Sequence, residues 1–187
     1  MIENAMRYSH TLLKNTVIPG DTVIDATVGN GGDTILLATL VGKTGKVYGF
    51  DIQPQALQTT KEKLLLTGLG EQVDLYLQGH ETLKSVVPAK TEIAAAIFNL
   101  GYLPKSDKKI ITKGETTIQA IHAILPMLRK GGLVLLVIYS GHQGGQTEKE
   151  AVLAFTEQLP QQFFNVLYYG FINQRNDPPF LLIIEKK

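Results

Sequence analysis

The stretch Thr22-Val23-Ile24-Asp25-Ala26-Thr27-Val28-Gly29-Asn30-Gly31-Gly32-Asp33-Thr34 decides how the chain is read. It opens as a short apolar strand, passes through a glycine-rich turn and runs into Thr34-Ile-Leu-Leu-Ala-Thr-Leu, the start of a helix. A strand feeding a glycine turn and a helix is the α/β device for bringing backbone close to a nucleotide-like ligand. Glycine lets the main chain turn sharply, and the first N–H groups of the helix lack partners within it, so they face the ligand. Lys46-Val-Tyr-Gly-Phe reads as the next strand and ends on Asp51. That acid follows the turn by about 20 residues, the separation at which a carboxylate grips a ribose hydroxyl pair. These residues predict a nucleoside-cofactor site.

The charge of the turn narrows the ligand. Asp25 at the strand end and Asp33 in the turn both stand where a dinucleotide would place its pyrophosphate. A carboxylate about 6 Å from a phosphate charge costs roughly 2–3 kcal/mol at an effective dielectric of about 20. A helix N-terminus offsets only about 0.3–1 kcal/mol of that. No Gly-Lys-Ser/Thr opens the helix, which excludes a P-loop, and Thr34 replaces the third glycine of the dinucleotide fingerprint. An acidic glycine turn suits a ligand with positive charge there. S-adenosylmethionine, with its ammonium and sulfonium groups, fits; NAD and ATP do not.

Composition sets wider limits. A chain of 187 residues predicts a single domain over 1–187, large enough for a full sheet covered by helices on both faces. Its 44% hydrophobic content is that of an ordinary soluble globular protein. A net charge of +1 does not announce a nucleic-acid binder, so local clustering has to carry that case. With no cysteine there is no disulfide, thiolate metal site or cysteine nucleophile, which agrees with a cytoplasmic protein. No apolar run reaches the length of a signal peptide or membrane span.

In chain order, residues 3–17 predict an amphipathic helix, 22–26 a strand, 32–41 a helix, 46–50 a strand and 53–67 a helix opened by Pro54. Residues 73–77 alternate as a strand, and Gln78-Gly79-His80 opens a short helix toward Val87. Residues 93–98 are small and apolar throughout, as in a strand covered on both faces. A helix over 114–128 with Arg129-Lys-Gly-Gly132 as its stop, a strand over 132–139 and a helix over 147–158 follow. Residues 163–171 and 180–186 form a hairpin around 173–179. This alternation predicts an α/β, Rossmann-like fold: a doubly wound, mostly parallel seven-stranded sheet with a C-terminal antiparallel hairpin. Ligands bind such sheets at the carboxyl ends of the strands, and the chemically suggestive segments all fall on that rim.

Two motifs together carry a resemblance. Asp-Ala-Thr-Val-Gly-Asn-Gly-Gly-Asp-Thr (25–34) with Phe-Asp-Ile-Gln (50–53) is similar to motifs I and II of the class I S-adenosylmethionine methyltransferases. Gly79-His80, Asn99-Leu-Gly-Tyr-Leu-Pro104, Gly141-His-Gln-Gly-Gly145 with Glu148, and Asn173 to Pro179 bring it closer to a small bacterial branch. That branch is the YtqB-like "putative rRNA methylase" family, whose members are understood to methylate the exocyclic amine of 5-aminomethyl-(2-thio)uridine at the tRNA wobble position. The resemblance implies S-adenosylmethionine as cofactor and tRNA, through its anticodon stem-loop, as partner. An rRNA or small-metabolite amine methyltransferase sharing the cofactor half is the alternative.

Residue by residue, the expected cofactor set is Asp25, Thr27, Asn30, Gly31, Asp33, Thr34, Asp51, Gln53, His80 and Asn99. Amino methyltransferases of this fold place an Asn-Pro-Pro-Tyr motif after the fourth strand. Here Asn99 and Tyr102 keep its outer residues while Leu100 and Gly101 replace the prolines. The Asn99 side-chain oxygen and the Leu100 carbonyl are expected to accept from an amine, and Tyr102 to stack on the presented base. His142 either takes the amine proton or contacts RNA, and His80 either contacts the cofactor or caps its helix. His10 and His122 read as structural or surface residues, and no cluster has metal-ligand spacing. Arg7, Lys105, Lys108, Lys109 and Arg175 are the expected phosphate contacts. A homodimer is compatible with a mildly basic surface.

Overall fold

Seven strands and five α-helices alternate along the chain: α1 (Ala5–Thr16), β1 (Thr22–Asp25), α2 (Gly32–Val41), β2 (Lys46–Asp51), α3 (Pro54–Thr67) and β3 (Val73–Leu77). A 3₁₀ helix (His80–Ser85) precedes β4 (Ile93–Leu100), α4 (Gly114–Ile124), β5 (Leu128–Ile138), α5 (Gly145–Glu157), β6 (Phe164–Tyr169) and β7 (Phe180–Lys186). The computed structural model describes residues 1–101, 111–141 and 144–187. One sheet runs in the order β3-β2-β1-β4-β5-β7-β6. The first five strands in that order are parallel, and β7 pairs antiparallel with both β5 and β6. The expected doubly wound sheet and C-terminal hairpin are both present.

Each face of the sheet carries its own core. Leu13 of α1, Leu37 and Val41 of α2 and Leu64 of α3 pack on one side with Val23, Ile97, Leu135 and Val137. Leu83, Ile121 and Ile124 of α4, and Val152 of α5 pack on the other with Ile24, Phe98, Leu100 and Leu136. Seven of the eight β4 residues are buried, because β4 is central and covered on both faces. Burying a side chain such as Ile97 or Phe98 contributes about 1.5–3 kcal/mol. The exception is Asn99, which continues the α1–α2 side of the strand at its carboxyl end. A polar residue in that place stands where the rim meets the helix α1 layer.

The segment after α4 differs from the sequence reading. Helix α4 stops at Ile124 rather than at 128, and β5 starts at Leu128 rather than at 132. Pro126 explains the stop, since its ring collides with the carbonyl four residues back and it has no N–H to donate. Arg129-Lys-Gly-Gly is therefore an irregular strand entry, not a helix end. Leu128 pairs with Ile93, and the next register pair is Leu133 with Ala95. Gly131, at φ +71°, makes the bulge possible. Arg129 is put to use by the change: its guanidinium donates to Thr16 O and Asp21 Oδ2, tying the bulge to the end of α1. Among the described residues no helix is long and apolar enough to cross a membrane.

Candidate active site

The glycine turn is the floor of the site. Gly29 and Gly31 lie at φ +52° and +77°, which side-chain-bearing residues rarely adopt. A Cβ on Gly31 would stand 2.5 Å from Thr60 Oγ1, so α3 leaves no room for one. Beneath the turn, Asp25 is fully buried; it accepts from Thr34 Oγ1 (2.6 Å) and from the Thr27 N–H (3.2 Å). The carboxylate thus pins the start of α2 to the end of β1. Burial, and then the Asp33 charge, push its pKa up to about 7.

A raised native pKa means that between about pH 4 and 7 the folded protein holds a proton that the unfolded chain has released. Stability from this group is therefore present at low pH and lost as pH rises through 7. Asp25→Asn is expected to flatten the fall of the thermal midpoint between pH 5 and 8. A pH profile identical to wild type would refute the assignment.

Asp51, at the end of β2, accepts the Gly29 N–H on Oδ2 (2.8 Å) and the Gln53 N–H on Oδ1 (2.9 Å). A carboxylate has about four lone-pair sites, so both oxygens retain accepting capacity. Asp51 lines a cavity of about 860 Å³ that follows the carboxyl ends of the strands. Next to it, His80 places Nδ1 2.9 Å from Ala26 O, and burial lowers its pKa. The ring is thus neutral, with its proton on Nδ1 and Nε2 left as an acceptor. Both His80 Nε2 and Gln78 Nε2 are buried without a protein partner, and both residues line the cavity. Buried polar atoms cost free energy unless paired. An acceptor and a donor beside a carboxylate with accepting capacity to spare match the edge of a purine and the hydroxyls of a ribose, so the residues present fit an adenosine-containing cofactor.

Asn99, near the carboxyl end of β4, also lines the cavity. Its N–H donates to Thr27 Oγ1 (2.7 Å) and its Nδ2 to Asp33 Oδ2 (2.7 Å), while Oδ1 is buried with no protein partner. The Leu100 carbonyl, expected to share the accepting role, takes the Tyr139 N–H in the sheet instead. Tyr139 lines the cavity, and burial together with Asp33 raises its pKa. Beyond Asn99, the Gly101 N–H donates to Thr112 Oγ1 (2.9 Å), and Thr112 Oγ1 donates to Glu148 Oε2 (2.6 Å). Glu148, 4% exposed, also accepts from Thr117 Oγ1 on α4. A carboxylate on α5 thereby fixes where β4 ends. Glu148→Ala orphans two hydroxyls at about 1–1.5 kcal/mol each and is expected to lower the thermal midpoint by roughly 5–10 °C. A shift under about 2 °C in thermal denaturation would contradict that role.

The comparisons with known proteins agree with this geometry. The family described as "Putative rRNA methylase" matches residues 47–185. The chain belongs to that family. It is 36% identical to the tRNA (mnm(5)s(2)U34)-methyltransferase, chloroplastic, of Arabidopsis thaliana, over 99% of this chain and 70% of the relative. The crystal structure described as a putative rRNA methylase from Clostridium thermocellum superposes with a TM-score of 0.97 at 45% identity, covering 100% of both chains. A structure described as a putative methyltransferase of Streptococcus mutans in complex with SAH gives 0.91 at 44%, again over 100% of both chains. This rRNA-methylase family member is an S-adenosylmethionine-dependent methyltransferase.

Within the methylase, the expected cofactor residues separate into two groups. Thr27, Asn30, Asp33, Asp51, Gln53, His80 and Asn99 all line the cavity. Asp25, Gly31 and Thr34 lie behind its wall and shape the turn. His80 begins the 3₁₀ helix without capping it. Arg7 and Arg175 are exposed on α1 and on the loop before β7. Tyr102, Lys105, Lys108, Lys109 and His142 lie outside the described residues.

His10, read from the sequence as a structural or surface residue, lies on the cavity wall with Nε2 2.6 Å from Asp33 Oδ1. Gln78, placed on the ligand rim by the sequence but given no role there, also lines the cavity, as do Thr112 and Tyr139, which the sequence did not single out. Tyr139 carried the same signal as Gln78, since each directly follows the last residue of a strand on the ligand rim. Thr112 and His10 carried none, because their partners are distant in sequence.

Proposed function

We propose that the protein transfers the methyl group of S-adenosylmethionine to the exocyclic amine of 5-aminomethyl-(2-thio)uridine at the wobble position of tRNA, giving the 5-methylaminomethyl form. The observation that carries this reading is Asn99, which lines the cavity with a buried, neutral Oδ1 that has no protein partner and an amide nitrogen already committed to Asp33. When bound, the cofactor supplies an electrophilic methyl on a sulfonium; the protein's task is to present a nitrogen with a free lone pair. An alkylamine in water at pH 7 is mostly protonated and has none. Transfer into a poorly hydrated site favours the neutral amine. Asn99 Oδ1 then accepts one of its N–H groups and fixes the direction of the lone pair. Positioning of this kind supplies roughly 7–11 kcal/mol of barrier reduction.

On the cofactor side, Asp51 would hold the ribose hydroxyls, Gln78 and His80 the purine edge, and the turn from Gly29 to Asp33, with Asn30, the methionine end. On the RNA side, exposed Lys113, which lines the cavity, and exposed Arg7 and Arg175 would meet phosphates. The Arabidopsis relative, named for the same wobble nucleotide, supports tRNA over other acceptors. The test is nucleoside mass spectrometry of aminomethyluridine-containing tRNA incubated with the protein and S-adenosylmethionine. Conversion to the methylaminomethyl nucleoside is expected. Unchanged tRNA, or methyl incorporation into rRNA instead, would overturn the proposal.

A further inference from the structure

Helix α1 precedes the first strand and carries none of the methyltransferase motifs, yet it delivers a side chain to the acceptor end of the cavity. His10 Nε2 lies 2.6 Å from Asp33 Oδ1, and Asp33 Oδ2 accepts from Asn99 Nδ2 at 2.7 Å. Both oxygens of Asp33 are thus engaged, and the carboxylate bridges a ring on α1 to an amide at the end of β4. We propose that His10 is a positioning residue of the acceptor site: it holds Asp33 in the orientation that captures Asn99 Nδ2, and so keeps Asn99 Oδ1 turned into the cavity. The inference rests on the reading of Asn99 as the group that receives the amine.

The argument is one of hydrogen-bond polarity. The terminal torsion of an asparagine is broad and roughly two-fold, so the side chain itself does not select which end faces the cavity. A flipped amide would offer N–H groups to an amine whose own N–H groups need an acceptor. Ionised Asp33 accepts only, and therefore selects the productive orientation. Asp33 in turn is buried in the first turn of α2, where unpaired helix N–H groups compete for its oxygens. His10 occupies the oxygen that would otherwise be drawn away. The imidazole donates from Nε2 either as that neutral tautomer or as the cation, so the clamp does not require a charged ring. The main chain at Asn99 is fixed separately by Thr27 Oγ1, which leaves the amide as the freedom that His10 removes.

The test reads the Asn99 side-chain amide by NMR in protein saturated with S-adenosylhomocysteine, its signals identified by their loss in Asn99→Ala. In His10→Ala these amide protons are expected to exchange with solvent at least about tenfold faster than in wild type. The single-turnover methylation rate at saturating cofactor is expected to fall by about tenfold or more, with cofactor affinity changed less than about threefold. His10→Gln, whose amide N–H reaches the same oxygen, is expected to restore most of both. An Asn99 amide unaffected by His10→Ala, or a Gln variant as impaired as the Ala variant, would overturn the clamp. The amide signal needs no methyl acceptor. An amide that responds in a protein inactive on tRNA therefore supports the clamp while refuting the proposed substrate.

Discussion

Asn99→Ala is expected to reduce the single-turnover methylation rate by roughly 10²–10³-fold, the usual loss when one preorganised polar group is removed from a reaction centre. Cofactor affinity should change far less. The residues proposed to hold the purine and ribose, Gln78, His80 and Asp51, lie at the ends of β2 and β3 and the start of the 3₁₀ helix, and the hydrogen bonds of Asp51 and His80 described above do not involve Asn99. The loss therefore belongs in the chemical step at saturating cofactor, not in a raised KM for S-adenosylmethionine. Asn99→Asp is a sharper version. It keeps the shape but sets a second carboxylate against Asp33, so the pair must either repel or share a proton. It would also offer an anion to the amine and hold the protonated, unreactive form. Both variants are expected to be inactive for different reasons. A wild-type single-turnover rate in either would remove Asn99 from the reaction.

Local residues made the cofactor end of the site legible. The strand–turn–helix of 22–34 and the acid at Asp51 are coded by short-range patterns: apolar strands, glycines at positive φ and a fixed interval. The structure reproduces them because those patterns are set by backbone sterics and burial rather than by remote partners. The acceptor end was legible only in part. Asn99 announced itself as a polar residue ending an apolar strand, but its orientation is imposed by Asp33, and Asp33 is engaged by His10 from another layer. Such contacts join residues far apart in sequence, and no periodicity records them. Glu148 is similar: the sequence marks it only as part of a family signature, and its burial against Thr112 and Thr117 is not written there. The misplaced boundary after α4 came from weighing the basic Arg129-Lys130 and the paired glycines above Pro126, whose steric effect on the preceding turn is stronger.

Asp51→Ala is expected to have the larger effect on cofactor binding, and its magnitude follows from the hydrogen bonds lost. Each bond to a charged group contributes about 1.5–3 kcal/mol. Loss of two ribose hydroxyl contacts therefore weakens S-adenosylhomocysteine binding by roughly 10²–10⁴-fold on the scale of 1.4 kcal/mol per decade. A second contribution arises inside the protein. Asp51 also receives the Gly29 and Gln53 N–H groups, so its removal frees the glycine turn from β2 as well as the ligand from the protein. Asp51→Asn separates the two. Its single side-chain oxygen can satisfy one of those N–H groups, and its amide can donate to a hydroxyl, so an intermediate loss of affinity is expected. Calorimetric titration of both variants, with the fold checked by circular dichroism, measures the difference. Wild-type affinity in Asp51→Ala would mean that the ribose lies elsewhere. Equal losses in the Ala and Asn variants would mean that the charge, rather than the shape of the turn, determines affinity.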